Sequence, residues 1–384
     1  MSSPGSAQPT RRLRAGIVGG GRGAFIGSVH RIAAELDGQA LLVAGAMSSD
    51  ARIARESAAD WFLERAYASY EEMAAAEAAD ANGIDFVIIA TPNDLHFPVA
   101  RAFLEADIHV ICDKPLALTV AEGEELVRIV ESGSTLFALT HVYTGYPAVR
   151  QAREMVRGGR LGEIRLCLVE YTQDWLMEPL ENRGNKQAAW RMDPARAGLG
   201  GCVADIGTHA ANLLEYVTDR PIEAICADLT SFVKGRRLDD DAHMLLRLAG
   251  GGKGTLVCSQ IACGEENRLS LRVYGSQAGL EWHQEEPNTL LFKPAGRPWE
   301  RLRTGHGYMG AAARAATRVP PGHPEGYLEA FANLYRSFMQ DVRRVALGQA
   351  PVRDYPGVHE GVRGLRFVAQ AVASSRAGSL WQSV

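Results

Sequence analysis

The stretch Leu13–His30, LRAGIVGGGRGAFIGSVH, decides the fold. A short apolar run ends at Val18. Gly19, Gly20, Gly21, Arg22, Gly23 and Ala24 follow, and a helical pattern then runs through Val29, His30, Ile32, Ala33 and Leu36. Strand, glycine-rich turn and helix form the context in which a G-x-G-x-x-A match points to dinucleotide binding. The glycines let the backbone turn tightly and approach a pyrophosphate. The helix N-terminus offers that anion free N–H groups and the positive end of the dipole. Gly27, rather than Ala24, stands three residues before His30, so Phe25-Ile26-Gly27 is expected to lengthen the turn and bulge over the ligand.

Outward from this turn, Ala40–Met47 (ALLVAGAM) is continuously apolar, as a parallel strand buried on both faces should be. It ends in Ser48-Ser49-Asp50, with Arg52 close behind. A dinucleotide fold chooses its ribose here. A carboxylate directly after the strand accepts the ribose hydroxyls of NAD, whereas small residues and an arginine suit the 2′-phosphate of NADP. Serines hold the immediate positions, and Asp50 equally suits the cap of a helix starting near Ala51. NAD and NADP both stay open, with NAD slightly favoured. Ile84–Ala90 then runs into Thr91-Pro92-Asn93-Asp94-Leu95-His96, and Ile108–Cys112 into Asp113-Lys114-Pro115-Leu116. Polar groups at the ends of parallel strands sit where open α/β sheets bind ligands. The lysine, pinned by the following proline, is the more pointed of these signals. Strand Thr135–Thr140 completes the alternation, and His141-Val142-Tyr143 marks the domain edge. Residues 13–142 are therefore expected to form an α/β Rossmann dinucleotide-binding domain.

Beyond it the period changes. Strand candidates at 164–173, 225–232, 242–248, 254–261, 269–274, 280–283 and 290–292 are joined partly by Gly250-Gly251-Gly252 and Gly275-Ser276, which read as hairpin turns. Residues 143–350 are expected to form an α+β domain for substrate binding and oligomerisation, with a large, open, mostly antiparallel sheet. One sheet face is expected to be covered by helices and the other by a second subunit, giving a homodimer or homotetramer. Gly305–Pro324 is a poorly patterned loop containing His323, followed by a helix over 326–347. Residues 351–384 form a linker and a last helix packing back on the body. The polar start, 1–12, reads as a frayed tail without the apolar segment of an export signal.

Composition bounds the partners. The 384 residues carry a formal charge of −4, with 46% hydrophobic and 22% charged residues. This leaves no electrostatic footprint for nucleic acid or an anionic membrane, and no apolar run is long enough to span a bilayer. The six cysteines form no C-x-x-C pair, so free buried thiols in a reducing cytoplasm are expected, without a structural zinc site.

The sharpest residues of the second half lie in GGCVADIGTH, 200–209, where Asp205 and His209 stand four apart and would share one helix face. A histidine beside a reacting hydroxyl and a carboxylate in the same pocket would follow; an aspartate in a first helical turn with a structural histidine is the plainer alternative. A metal site would need a third ligand that nothing local supplies, so none is expected. Trp190-Arg191 and Asp174-Trp175 either line a polar ligand or form packed surface pairs.

Taken together, the glycine turn 19–27 with His30, TPNDLH at 91–96, DKP at 113–115 and DIGTH at 205–209 resemble the glucose–fructose oxidoreductase, inositol dehydrogenase and rhizopine-catabolism (Gfo/Idh/MocA) family, in order and separation. The likeness covers nearly the whole chain from residue 13. It implies a dehydrogenase or reductase passing a hydride between a nicotinamide and a secondary alcohol or ketone carbon of a sugar, glycoside or cyclitol. It implies Lys114, Asp205 and His209 as the catalytic group, with Asp113 replacing the usual glutamate before the lysine. His209 would be the general base and Lys114 would stabilise the substrate oxygen. The cofactor would lie on Gly19, Gly21, Arg22, Gly23, Ala24, Phe25, Ile26, Ser48, Ser49, Arg52, Thr91, Pro92, Asn93, His96, Asp113 and Lys114, with Phe25 toward the nicotinamide. Tyr143, Asp174, Trp175, Trp190, Arg191 and His323, with Asp205 and His209, would hold the substrate. Two alternatives are a glycosidase or epimerase that recycles its NAD in place, and a non-catalytic dinucleotide sensor.

Overall fold

The computed structural model describes residues 11–384. Residues 1–10 of the tail expected over 1–12 lie outside them, while Arg11, expected within it, is anchored, donating to both carboxylate oxygens of Asp85 at 2.7 and 2.6 Å. The first domain alternates β1 (Leu13–Gly19), α1 (Phe25–Glu35), β2 (Ala40–Ala46), α2 (Ala51–Asp60), β3 (Arg65–Ala66), α3 (Tyr70–Ala79), β4 (Phe86–Ala90), α4 (His96–Glu105), β5 (His109–Cys112), α5 (Val120–Ser132) and β6 (Phe137–Leu139). Its strands are parallel in the order β3-β2-β1-β4-β5-β6. The chain winds outward in both directions from β1 and β4, so a crevice opens at their C-terminal ends. The apolar runs are continuous because helices cover both faces: all five residues of β4 are buried. β3 is a two-residue edge strand too short to leave a pattern.

The glycine turn departs from expectation at its end. α1 begins at Phe25, and Gly27 lies in its first turn. A Cβ on Gly27 would overlap the Cα and carbonyl of Gly20. The turn is therefore not lengthened through Gly27 and does not bulge. That glycine marks the closest approach of α1 to the end of β1, the packing role of the third fingerprint glycine.

The second domain contains α6 (Pro147–Arg157), β7 (Ile164–Thr172), α7 (Lys186–Arg191), α8 (Pro194–Ala197), α9 (Thr208–Thr218), β8 (Ile222–Thr230), β9 (Asp241–Leu248), β10 (Lys253–Ser259), β11 (Arg268–Gly275), β12 (Ala278–His283), β13 (Thr289–Pro294), β14 (Glu300–Arg303), α10 (Ala311–Ala315), α11 (Tyr327–Ala346), α12 (Val358–Arg376) and β15 (Gln382–Ser383). The nine strands order as β14-β13-β12-β11-β7-β10-β9-β8-β15. Neighbours are antiparallel except β7 and β10, which run parallel because helices and a hairpin separate them in the chain. α6, α9 and α12 pack on one face, while Leu166 and Leu245 stand 40% and 52% exposed on the other. α11 also packs on α1, and α12 on α5 and β6. One buried cluster therefore runs from Leu13 to Ala371, through both sheets.

Candidate active site

A cleft of about 1410 Å³ opens where the strand ends of the first sheet meet the second domain. At one end the glycine turn forms its floor. Gly19, Gly20 and Gly23 adopt φ of +79°, +69° and +82°, and a Cβ on Gly19 would sit 2.6 Å from the carbonyl oxygen of Ala90. Ala24 precedes α1 without a side-chain cap, so the first N–H groups of that helix remain available to an anion. This cradle fits a dinucleotide pyrophosphate. Ser48 and Ser49 continue the lining. Asp50 turns away and caps α2, accepting from the N–H of Arg52 and Ile53 at 2.9 and 3.0 Å. Arg22 pairs with Glu56 and with Asp60 at 2.6 Å, and Arg52 pairs with Glu56 at 3.0 Å.

Thr91, Pro92 and Asn93 at the end of β4, and Asp113 and Lys114 at the end of β5, form the next wall. Asp113 Oδ1 accepts from the N–H of Lys114 and from Thr140 Oγ1, both at 2.9 Å, which sets the lysine's direction. Lys114 Nζ donates to Asp205 twice, to Oδ1 at 2.7 Å and to the carbonyl at 2.6 Å. An ammonium carries three donors, so one proton remains for a ligand. Gln260 Nε2 donates to Asp205 Oδ2 at 2.8 Å, and Arg191 Nε stands 3.4 Å from the same oxygen. Burial alone would raise the carboxyl's pKa; the charges of Lys114 and Arg191, with the bonds from Lys114 and Gln260, hold it well below the usual carboxylate range.

His209, 9% exposed, meets the rings of Tyr143 and His141 edge-on at 5.0 and 5.3 Å, and its Nδ1 has no hydrogen-bond partner. Burial first, then Lys114 and His141, push its pKa well below the ordinary imidazole value. Burial and Lys114 likewise push His141 down to about 3. His209 is thus neutral, the form that accepts a proton. The segment carrying Asp205 and His209 is helical, as the spacing predicts, but it opens with a π-helical stretch instead of regular α-helix. Val203–Gly207 forms a wide π-helical turn that runs directly into α9 at Thr208. Gly201 presses the segment against the Asp239 backbone, where a side chain would collide, and Gly207 brings it close to the Cys258 thiol. Asp205 and His209 nevertheless both line the cleft.

Comparison with known proteins gives this geometry a family. A model described as "Oxidoreductase family, NAD-binding Rossmann fold" matches residues 13–141, and one for the "GFO/IDH/MocA C-terminal domain" matches 149–281. An uncharacterized oxidoreductase, YfiI of Bacillus subtilis, is 33% identical over 97% of both chains. The chain belongs to the Gfo/Idh/MocA family. It is an NAD(P)-dependent oxidoreductase. The inositol dehydrogenase homolog of Azotobacter vinelandii superposes with a TM-score of 0.94 at 37% identity in its NAD+ complex, covering 97% of this chain and 98% of that one. Its complex with NADH and myo-inositol superposes with a TM-score of 0.90 at 35% identity, over the same shares. Levoglucosan dehydrogenase of Pseudarthrobacter phenanthrenivorans is 26% identical over 82% of both chains.

Not every residue expected in this Gfo/Idh/MocA site reaches the cleft. Gly19, Gly21, Arg22, Gly23, Ala24, Phe25 and Ile26 line it, as do Tyr143, Trp175, Trp190 and Arg191. The Arg191 guanidinium lies 4.2 Å from the Trp190 ring centroid and 5.8 Å from that of Trp175, and donates to Gln187 Oε1 at 2.7 Å. His96 is buried behind the wall, its ring between the carbonyls of Thr91 and Pro115, where it ties the two strand-end loops together. Arg52 is held outside by Glu56. The Asp174 carboxylate turns to the N–H of Gly264 at 3.2 Å. His323 stays exposed beside Pro320. Gln260, Tyr171, Asn267 and Gln187 belong to the site surroundings and carry no motif. Gln260 falls inside the strand expected over 254–261, and only the earlier end of β10 at Ser259 places it just past a strand, like Thr91 and Lys114 in the first sheet. Among the described residues no group of three or more His, Cys, Asp or Glu side chains is placed to hold a metal ion, all six cysteines are free, and no helix is long and apolar enough to cross a membrane.

Proposed function

We propose that this oxidoreductase is a dehydrogenase of cyclic polyols, interconverting a secondary alcohol and its ketone on a sugar, glycoside or cyclitol. The observation that carries the reading is the meeting of Lys114, Asp205 and His209 in the cleft that begins at the glycine turn. One relative named above is complexed with myo-inositol and another is a levoglucosan dehydrogenase; such ring polyols suit a pocket flanked by Trp175 and Trp190 and rich in hydrogen-bonding side chains.

When bound, the nicotinamide cofactor accepts or supplies the hydride. The residues do the rest. Lys114 directs its free N–H at the substrate oxygen and stabilises the negative charge that grows there. Neutral His209 takes the hydroxyl proton. Asp205 holds the ammonium in place and, with Gln260 and Arg191 behind it, stays ionised. The open face of the second sheet, with Leu166 and Leu245 exposed, supports a homodimer or homotetramer. The free cysteines suit a reducing cytoplasm.

The test is a reduction assay with NAD and NADP against inositols, glucose, glucosides and anhydrosugars. Net formation of reduced cofactor with one ring polyol is expected. Turnover without added cofactor or net reduction would favour the recycling chemistry instead, and light scattering of the same sample reads the subunit number.

A further inference from the structure

The turn that carries Asp205 is gripped from outside the cleft. Asp239, 7% exposed, lies just ahead of β9. Its carboxylate oxygens accept from the N–H groups of Gly201 and Val203, both at 2.7 Å, and its carbonyl accepts from Cys202 N–H at 2.8 Å. Three successive N–H groups at the start of the catalytic segment are thus held by one residue. A Cβ on Gly201 would overlap the Asp239 carbonyl, so the approach is as close as backbone allows.

The next residue reaches the other supports. The carbonyl of buried Asp240 accepts from Gln260 N–H at 2.9 Å, and Gln260 is the residue whose side chain holds Asp205 Oδ2. The Asp240 carboxylate accepts from the N–H of Phe232 and Val233 and meets Arg236 at 3.1 Å. Arg236 in turn bonds Glu181 and the carbonyl of Glu178, both at 2.9 Å, in the loop ahead of α7 with its Trp190 and Arg191. One dipeptide therefore touches both supports of Asp205 and the loop leading to the substrate wall.

Asp239 is also costly where it stands. No cation pairs with it among the described residues, and burial pushes its carboxyl up to about 6 against the pull of its N–H donors. A serine or asparagine would bury no charge but would offer one acceptor oxygen where two N–H groups need two. What the carboxylate adds is two charge-assisted bonds, each roughly twice as strong as a neutral one, and so a stiffer turn.

We propose that Asp239 is a positioning residue for hydride transfer, gripping Gly201–Val203 so that Asp205 meets Lys114 in the geometry the chemical step needs. The inference rests on the reading of Lys114, Asp205 and His209 as the catalytic group. Its effect falls on kcat, because misplacement by a fraction of an ångström slows chemistry more than it weakens binding.

The experiment compares wild type, Asp239→Asn and Lys114→Met on the ring polyol that the panel shows to be turned over fastest, in its C–H and C–D forms at the reacting carbon, with NADH titrated separately. In Asp239→Asn, kcat is expected to fall about tenfold or more. KM and the NADH Kd should stay within about twofold, and the deuterium isotope effect on kcat should rise as hydride transfer becomes limiting. If that variant does not fold, Asp239→Glu, which keeps the charge but displaces it by one methylene, takes its place with the same expectations. A folded variant with wild-type kcat and isotope effect overturns the inference while an inactive Lys114→Met leaves the catalytic reading standing. An active Lys114→Met overturns both.

Discussion

Lys114 and Asp205, 91 residues apart in the chain, meet through two bonds from one ammonium, at 2.7 Å to the carboxylate and 2.6 Å to the carbonyl. The first comes from the end of β5 and the second from the π-type turn before α9, so this pair joins the two domains at the cleft. Lys114→Met removes the donor that the proposed mechanism aims at the substrate oxygen, and leaves Asp205 without its strongest partner. We expect kcat to fall on the order of 10³-fold while NADH affinity, read by fluorescence titration, changes little. Asp205→Asn should cost less, on the order of 10²-fold, since the lysine keeps a carbonyl and an amide oxygen to bond.

The lowered pKa of His209 gives the oxidation reaction its pH dependence. Burial and Lys114 hold the ring neutral across the physiological range, so kcat should stay level there and drop only on the acid side of the ordinary imidazole value of 6.5. His209→Gln should remove that acid limb along with most of the activity. A full acid limb in the variant would assign it to another group.

Acid should also unfold the protein earlier than its carboxylates alone would dictate. His30, His96, His109, His141 and His209 all have pKa values lowered, chiefly by burial. The unfolded chain takes up protons near 6.5 where the folded chain does not, so this contribution is fully present above that pH and is lost as pH falls below it. Asp239, Glu215 and Glu325, whose carboxyls burial raises above their ordinary values, act in the opposite sense by holding a proton in the fold, but they are three groups against five. The thermal midpoint should be level above about pH 7 and decline steadily toward about pH 5. A midpoint rising through that window would contradict the balance.

Gly27→Ala tests the contact that ends the glycine turn. The added methyl overlaps Gly20, and backbone on both sides leaves no flexible side chain to move aside. Overpacking of this kind costs about 1–3 kcal/mol. It should lower the thermal midpoint and weaken NADH binding together, because α1 must shift away from the turn that holds the pyrophosphate. Loss of stability with unchanged NADH affinity would separate the two roles.

Glu56 is the shared partner of two arginines near the end of β2. It pairs with both Arg22 and Arg52, beside Ser48 and Ser49. Glu56→Gln leaves Arg52 free and Arg22 tied only to Asp60. The NADPH-to-NADH affinity ratio should rise about fivefold, the modest size expected of exposed charges, and the shift should shrink at high salt. An unchanged ratio would place the choice of ribose in the two serines.

The local chemistry of the cofactor half was readable because each piece is contiguous: apolar strands, a glycine turn and polar strand ends at Thr91 and Lys114. Gly27 departs from its expected place in a longer turn because its role is set by what lies opposite, and only the fold puts Gly20 there. Asp174 and His323 read as site residues for their chemistry, yet the loops that carry them turn the one to Gly264 and leave the other exposed. Asp239 and Gln260 lacked a motif altogether. Their meaning lies in partners 38 and 55 residues away.

By itself, the sequence determined the two-domain architecture, the parallel order of chemistry along the first sheet, and the identity of Lys114, Asp205 and His209 as the residues to watch. Periodicity and short motifs encode these because they depend on neighbours within a few positions. Tertiary structure alone decided that Asp50 caps a helix instead of facing a ribose, that the helix carrying Asp205 and His209 opens with a π-helical turn, and that Asp205 is held by three side chains, Lys114, Gln260 and Arg191. Each of these depends on groups brought together by packing, and the free energy that selects them belongs to the whole fold.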